Sequence, residues 1–158
     1  MTASDLIRIL KLEPHPEGGF FKETYRSKRQ MTVNGGKSRN VCTAIYFLLE
    51  NDKKSLFHRI QSDELWFFHQ GQALEIVFII EGKLKTILLG NNLDKGESPQ
   101  AMIPAHTWFA AKIQNSSGYA LVSCTVAPGF DFADFELATR ENLIIENPEL
   151  KNIIEEFT

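Results

Sequence analysis

A histidine and a glutamate six residues apart are the two side chains in this sequence with the clearest potential for chemistry. His58 and Glu64 flank the polar run Gln61-Ser62-Asp63, which predicts a turn between two apolar strands. Such a strand–turn–strand unit can direct one side chain from each arm at a single point inside a β-barrel. A buried carboxylate is costly unless it is paired, so the two groups predict either a hydrogen bond of the core or an acid–base pair at a barrel mouth.

Several other side chains are candidates for the same site. Strand alternation puts Glu23 and Tyr25 on one face, where Tyr25 could act as a general acid opposite His58. A solvated or dimer-facing strand surface explains that face equally well. Alternation also puts His69 off the Glu64 face unless a bulge intervenes. The predicted ligand-binding residues are Glu17, Glu23, Trp66, His69, Trp108 and Phe109.

The elements that must position these residues are predicted to be mostly β-strands. Short runs rich in β-branched and aromatic residues alternate with turn residues, which indicates roughly nine or ten strands. We expect one domain over residues 1–158, with a barrel at about 20–135 and terminal helices at about 2–12 and 147–157. The fold class is therefore all-β with short terminal helices, closed as a jelly-roll barrel.

Charge and composition limit the partners of the protein. The net charge of −3 argues against nucleic acid and against an anionic membrane surface, because either would need a basic patch. The sequence has no basic leader with an apolar core, and its apolar runs are too short to span a bilayer. Cys42 and Cys124 lie far apart, outside any metal-binding spacing, and predict free thiols. We expect a cytoplasmic protein.

Two stretches resemble the paired motifs of the cupin superfamily. In the first, His58, Glu64 and Gly71 match in register, while Ile60 stands where the motif has a second His. The second is the run Pro104-Ala105-His106-Thr107-Trp108-Phe109, which is similar to a Pro-x-Gly turn followed by a His. His106 stands at the glycine position of this motif, and Phe109 stands at the position of its histidine.

Longer stretches resemble one branch of the superfamily, the fifth cupin family, a domain of unknown function. The matching stretches are residues 12–19 (LEPHPEGG), 23–27 (ETYRS), 62–66 (SDELW) and 126–132 (VAPGFDF). This resemblance implies a cupin-type double-stranded β-helix, and we expect a homodimer as in its relatives.

The resemblance also implies a metal site, which this sequence does not complete. A stable site for a divalent transition metal usually has three or four protein ligands, and His58 and Glu64 supply two. We therefore predict that the protein uses no metal and no other cofactor. The alternative is one divalent metal at these two residues with a third protein ligand. The candidates for that ligand are His69, His106, Glu23 and Glu17.

Cupin relatives include sugar isomerases and metal-free sugar-nucleotide epimerases, and this implies the leading function. It is the isomerisation or epimerisation of a small polar molecule such as a sugar phosphate or nucleotide sugar. His58 would remove a proton alpha to a carbonyl, Glu64 would orient the imidazole, and Tyr25 would protonate the opposite face. Two alternatives stay open: a non-enzymatic sensor or storage-type binding protein, and a metal-dependent oxygenase or isomerase.

Overall fold

Antiparallel strands make up most of the computed structural model, which describes all of residues 1–158. The strands in chain order are β1 (Glu13–Pro14), β2 (Phe20–Arg26), β3 (Gln30–Thr32), β4 (Ser38–Asn40), β5 (Thr43–Glu50), β6 (Lys54–Arg59), β7 (Asp63–Gly71), β8 (Leu74–Ile80), β9 (Lys83–Leu89), β10 (Gln100–Ile103), β11 (Trp108–Ile113), β12 (Tyr119–Ala127) and β13 (Glu136–Leu137). The predicted strand from residue 20 to residue 33 is interrupted after Arg26, and its second part pairs with β4 as a separate hairpin.

The main strands form two sheets. The larger sheet has the order β1–β2–β5–β12–β7–β10, and the smaller has the order β13–β6–β11–β8–β9. Strand β12, late in the chain, lies at the centre of the larger sheet between β5 and β7. This arrangement of two antiparallel sheets is the jelly-roll architecture predicted from the sequence.

Alternation along the strands fills the space between the sheets with apolar side chains. Phe47, Trp66 and Val122 of the larger sheet pack with Ile76 and Phe109 of the smaller sheet, and all are almost completely buried. Large aromatic and branched side chains are the ones that gain most from such burial. The packed core supports one end of the barrel, and the other part of the space between the sheets is open as a cavity.

Three short helices cover the outer faces: α1 (Ala3–Leu10), α2 (Arg140–Glu146) and α3 (Lys151–Glu156). Helix α1 begins with the capping box of Thr2 and Asp5, and it packs on the larger sheet. Helices α2 and α3 pack on the smaller sheet. The helix predicted at residues 2–12 is shorter in the structure. The helix predicted at residues 147–157 begins as a single 3₁₀ turn and continues as α3, while α2 was not predicted. None of the helices has the length and apolar character needed to cross a bilayer.

Candidate functional site

A cavity of about 280 Å³ lies between the two sheets. Its walls come from β2, β5, β7 and β12 of the larger sheet, from β6 of the smaller sheet, from the turn after β1, and from the segment 130–135 that follows β12. Most of the lining is apolar, and Glu17, Thr43, His58 and Glu64 are its buried polar residues. A concave apolar site with a few converging polar groups is typical of small-molecule binding.

Glu17 and His58 form a buried ion pair, with 3.0 Å between Oε2 of Glu17 and Nε2 of His58. The second oxygen of Glu17 accepts a hydrogen bond of 2.7 Å from the Ser55 hydroxyl. The other ring nitrogen of His58, Nδ1, lies 2.7 Å from the Leu56 carbonyl oxygen and therefore donates to it. Both nitrogens of His58 are engaged, and neither is free to contact a ligand.

A bulge in β6 brings Ser55 and His58 to the same carboxylate. In a regular strand, residues three apart point to opposite faces. Here Phe109 of β11 pairs with His58 and Ala111 pairs with Ser55, so β6 carries one extra residue between them. The extra residue turns Ser55 to the side of His58, and both donate to Glu17.

The turn after β1 delivers Glu17 to this strand. The backbone carbonyl of Glu17 accepts from the Leu56 N–H at 2.8 Å, which attaches the turn to β6. Gly18 follows with a φ of 109°, and a Cβ at this position would clash with the Lys54 carbonyl. Only glycine adopts this backbone without strain, so the Pro-Glu-Gly-Gly stretch is needed to present the carboxylate.

The charges of the pair stabilise each other. Burial opposes the charged form of His58, but the Glu17 carboxylate outweighs it and raises the pKa of His58. Burial likewise opposes the charged form of Glu17, and His58 outweighs it, so the pKa of Glu17 is lowered. Both shifts favour the form of the pair with an imidazolium and a carboxylate. The predicted pairing of His58 with Glu64 is wrong, because His58 makes no ion pair with that residue.

Glu64 is the buried carboxyl group without an ion-pair partner. It lies on β7, is 8% exposed, and lines the cavity. Burial raises its pKa to about 7, and the charge of His58 offsets only part of that shift. The neighbouring Cys124 thiol is also buried, which raises its pKa well above the usual range and keeps it protonated. The indole Nε1 of Trp66 is buried in the cavity wall with no acceptor in hydrogen-bond geometry. The indole and the Cys124 thiol nevertheless lie near enough to Glu64 to lower its pKa slightly, against the larger effect of burial.

A second bulge, in β2, decides which side chains of that strand reach the cavity. Glu23 pairs with Ile45 and Tyr25 pairs with Ala44, so Thr24 is the extra residue. Beyond the bulge the alternation is reversed, and Arg26 lines the cavity in place of Tyr25. Tyr25 is 54% exposed outside the cavity. The prediction that it shares the face of Glu23 is therefore wrong.

Arg26 and Glu23 form an ion pair at the rim. Two guanidinium nitrogens of Arg26 donate to the two carboxylate oxygens of Glu23 at 3.0 and 2.7 Å. The third nitrogen donates to the Asn40 side chain and to the Phe130 carbonyl oxygen. This last bond fixes the segment 130–135, in which Phe130, Phe132 and Phe135 cover the cavity.

The other predicted ligand-binding residues have different positions. Trp66 lines the cavity, and its contact with a ligand stays a prediction. Phe109 is buried beneath the cavity with its ring 4.1 Å from that of His58. His69 is the extra residue of a bulge between β7 and β12, but it is exposed beside Tyr46 and does not reach the cavity. Trp108 faces away from the cavity toward Arg59.

The donor set does not fit a metal ion. No three His, Cys, Asp or Glu side chains are arranged to hold one. His58 has both nitrogens in hydrogen bonds, and Ile60 and Phe109 place hydrocarbon at the positions of two motif ligands. Of the four candidates for a third ligand, Glu17 and Glu23 are in ion pairs, while His69 and His106 are exposed and line no part of the cavity.

Sequence reasoning did not include several residues of the site. Those that line the cavity include His15, Arg26, Cys124, Asp131, Phe130, Phe132 and Phe135. Ser55 donates a hydrogen bond to Glu17. His15 accepts from the backbone N–H of Glu17 at its Nδ1, and burial lowers its pKa. The Pro-Glu-Gly-Gly turn was a usable signal for this region. The bulges in β2 and β6 have no glycine or proline to mark them.

Comparison with known proteins identifies the family. The family model described as Cupin superfamily (DUF985) matches residues 4–138, which is most of the chain. The chain belongs to this cupin family. The left-handed conformation of His106, with a φ of 61°, agrees with its place at the glycine position of the second cupin motif.

Three relatives of this cupin are similar over nearly the full chain. The uncharacterized protein YML079W of Saccharomyces cerevisiae is 31% identical over 168 residues, covering 97% of this chain and 80% of the yeast protein. A hypothetical protein from Leishmania major has a TM-score of 0.94 at 33% identity, covering 100% and 99% of the two chains. Protein SO0799 from Shewanella oneidensis has a TM-score of 0.92 at 40% identity, covering 100% and 98%. The predicted cupin fold is confirmed.

Proposed function

We propose that this cupin is a metal-independent isomerase that moves a proton between neighbouring carbons of a small sugar-like carbonyl compound. The observation that carries the proposal is the position of Glu64. It is the buried carboxyl group of the cavity that has no ion-pair partner, and it lies next to a fixed ion pair of Glu17 and His58. A carboxyl group whose pKa is near 7 can both accept and return a proton at neutral pH.

Glu64 replaces His58 as the proposed base. In the proposed step, the Glu64 carboxylate takes the proton from the carbon next to the carbonyl. The C–H electrons form a carbon–carbon double bond, and the carbonyl electrons move onto oxygen to give an enediolate. The unpartnered Nε1–H of Trp66 is a donor for that oxygen. The proton of the hydroxyl group on the deprotonated carbon then moves to the former carbonyl oxygen. Glu64 returns its proton to the former carbonyl carbon, and the carbonyl group forms again on the neighbouring carbon.

Isomerisation is favoured over epimerisation by the position of Tyr25. Inversion at one carbon needs an acid on the face opposite to the base, and the predicted acid lies outside the cavity. A transfer between neighbouring carbons on one face needs a single carboxyl group. His58 and Glu17 then act indirectly, since the charge of His58 lowers the pKa of Glu64 and the charge of Glu17 raises it.

The test is exchange of substrate protons with solvent. The full chain is incubated in deuterated water with small aldoses and ketoses, and loss of the proton next to the carbonyl is followed by NMR. Exchange should fall at least about 100-fold in Glu64→Gln, because general acid–base catalysis contributes that much or more. Tyr25→Phe is the matched control and should keep full activity. Activity should also survive treatment with a chelator.

Three results would contradict the proposal. Loss of exchange in Tyr25→Phe would show that Tyr25 is the general acid, as the sequence predicted. A stoichiometric metal whose removal abolishes exchange would favour the metal-dependent alternative. Binding of a sugar at Trp66 with no exchange for any compound would favour the sensor or storage-type protein.

A further inference from the structure

Every positive charge in the cavity wall is already neutralised by the protein. The cationic side chains of the lining are His58 and Arg26, and no lysine is present. His58 is paired with Glu17, and Arg26 is paired with Glu23. His15 is kept neutral, since burial lowers its pKa and its Nδ1 accepts a hydrogen bond.

The remaining ionisable groups of the lining are acids. Glu64 lies in the cavity without a counter-ion, and Asp131 lies at the rim, where it accepts from the Ala133 N–H. An anionic ligand would therefore face these acidic groups and find no free guanidinium or ammonium group. Like charges placed together without compensation are strongly unfavourable, so this arrangement selects against phosphates and carboxylates.

The size and the free donor of the cavity indicate what it can accept. Ligand pockets usually measure about 300–1,000 Å³, and the cavity of about 280 Å³ found here is just below that range. A nucleotide sugar would extend well beyond it. The unpartnered Trp66 Nε1–H offers a hydrogen bond to an uncharged oxygen, and the aromatic side chains of the cover suit the C–H faces of a sugar.

We propose that the cavity binds an uncharged hydroxy-carbonyl compound of single-sugar size and excludes its phosphate esters. This inference rests on the proposed acid–base site and narrows its substrate class. It replaces the sugar phosphate or nucleotide sugar expected from the sequence, because both cations of the cavity wall are paired with carboxylates and neither is free to hold a phosphate.

The two tryptophans provide the readout. Each buried indole Nε1 lacks a hydrogen-bond partner, but Trp66 lines the cavity and Trp108 does not. Full-length ¹⁵N-labelled protein is titrated with small ketoses and aldoses, each with its phosphate ester. The Trp66 indole signal should move with at least one uncharged sugar, and at concentrations at least about tenfold lower than with the corresponding phosphate. The Trp108 signal is the internal control and should stay unchanged.

Glu23→Gln tests whether exclusion of the phosphate is electrostatic. This variant removes the carboxylate that is paired with Arg26, so affinity for the phosphate ester should rise roughly tenfold relative to affinity for the uncharged sugar. Glu136→Gln is the control, since Glu136 pairs with Arg59 outside the cavity.

The inference is overturned if a phosphate ester moves the Trp66 signal at equal or lower concentration than the uncharged sugar. It is also overturned if no uncharged sugar moves that signal, or if Glu23→Gln leaves the preference unchanged. Its failure can be told apart from failure of the proposed function. If only phosphate esters exchange protons, the protein is an isomerase and the proposed ligand class is wrong. If uncharged sugars bind without exchange, the proposed ligand class is right and the isomerase proposal is wrong.

Discussion

Two buried glutamates 47 positions apart in the chain have opposite protonation behaviour in one cavity. Glu17 has a cation at 3.0 Å and a hydroxyl donor at 2.7 Å, and both favour its charged form. Glu64 has neither, so burial dominates and favours its neutral form. Environments that separate the pKa values of like groups assign them different roles, here a fixed charge for Glu17 and proton transfer for Glu64.

Glu64 should make the stability of the protein depend on pH. Its pKa is about 7 in the folded state and 4.5 when unperturbed, so the folded state binds more protons between these values. Stability should therefore fall as the pH rises through this window, by up to about 3 kcal/mol. Urea unfolding of the wild type and of Glu64→Gln across this range isolates the contribution. A constant difference in the free energy of unfolding between the two proteins would contradict it.

Removing the carboxylate of Glu17 should be more damaging. Glu17→Gln leaves the imidazolium of His58 buried without a counter-ion, and breaking a buried pair in this way costs about 3–5 kcal/mol. The pKa of His58, measured by NMR, should fall in the same variant. The double variant Glu17→Gln/His58→Gln is the control and should recover part of the lost stability. A double variant no more stable than the single one would show that the pair contributes little.

At the scale of the element, irregular backbone brings the site together. The bulge in β6 turns Ser55 and His58 to one side, the bulge in β2 exchanges Tyr25 for Arg26, and the turn at Gly18 supplies Glu17. Bulges redirect side chains without ending a strand, which is why they occur next to functional sites.

Gly18 should tolerate alanine far less than another glycine of similar conformation. Gly18 and Gly35 both have positive φ, but an added Cβ would clash with the Lys54 carbonyl at Gly18 and meet nothing at Gly35. Gly35→Ala should cost about 1–2 kcal/mol from conformation alone. Gly18→Ala should cost clearly more and should displace Glu17, lowering the pKa of His58. Thermal unfolding and the His58 titration measure both effects, and equal losses in the two variants would refute the difference.

The same irregular elements mark where sequence reasoning succeeded and failed. Hydrophobic alternation predicted the sheets and the inward direction of Glu64 and Trp66, because one sheet face is buried and fixes the register. It failed for Tyr25, since one extra residue reverses every later position of a strand. It also missed the pairing of Glu17 with His58, because residues 41 apart are joined only by tertiary structure.

At the scale of the whole molecule, one chain supplies the 18 side chains that line the cavity. The homodimer expected from the family resemblance stays a separate prediction. Sedimentation equilibrium of the full chain should give twice the chain mass of 18.0 kDa. A monomer at all concentrations would contradict it, and it would leave the acid–base site intact.

The central place of β12 has a consequence for how the chain folds. This strand, residues 119–127, pairs with β5 and β7, which precede it by roughly 50 to 80 positions. The larger sheet is complete only when these distant strands have paired. Such pairing is slow, because closing the long loops costs entropy before the new contacts form. During synthesis, β5 and β7 leave the ribosome as unpaired edges well before β12 is made. The cavity, with Cys124 on that last central strand, is therefore among the final features to form.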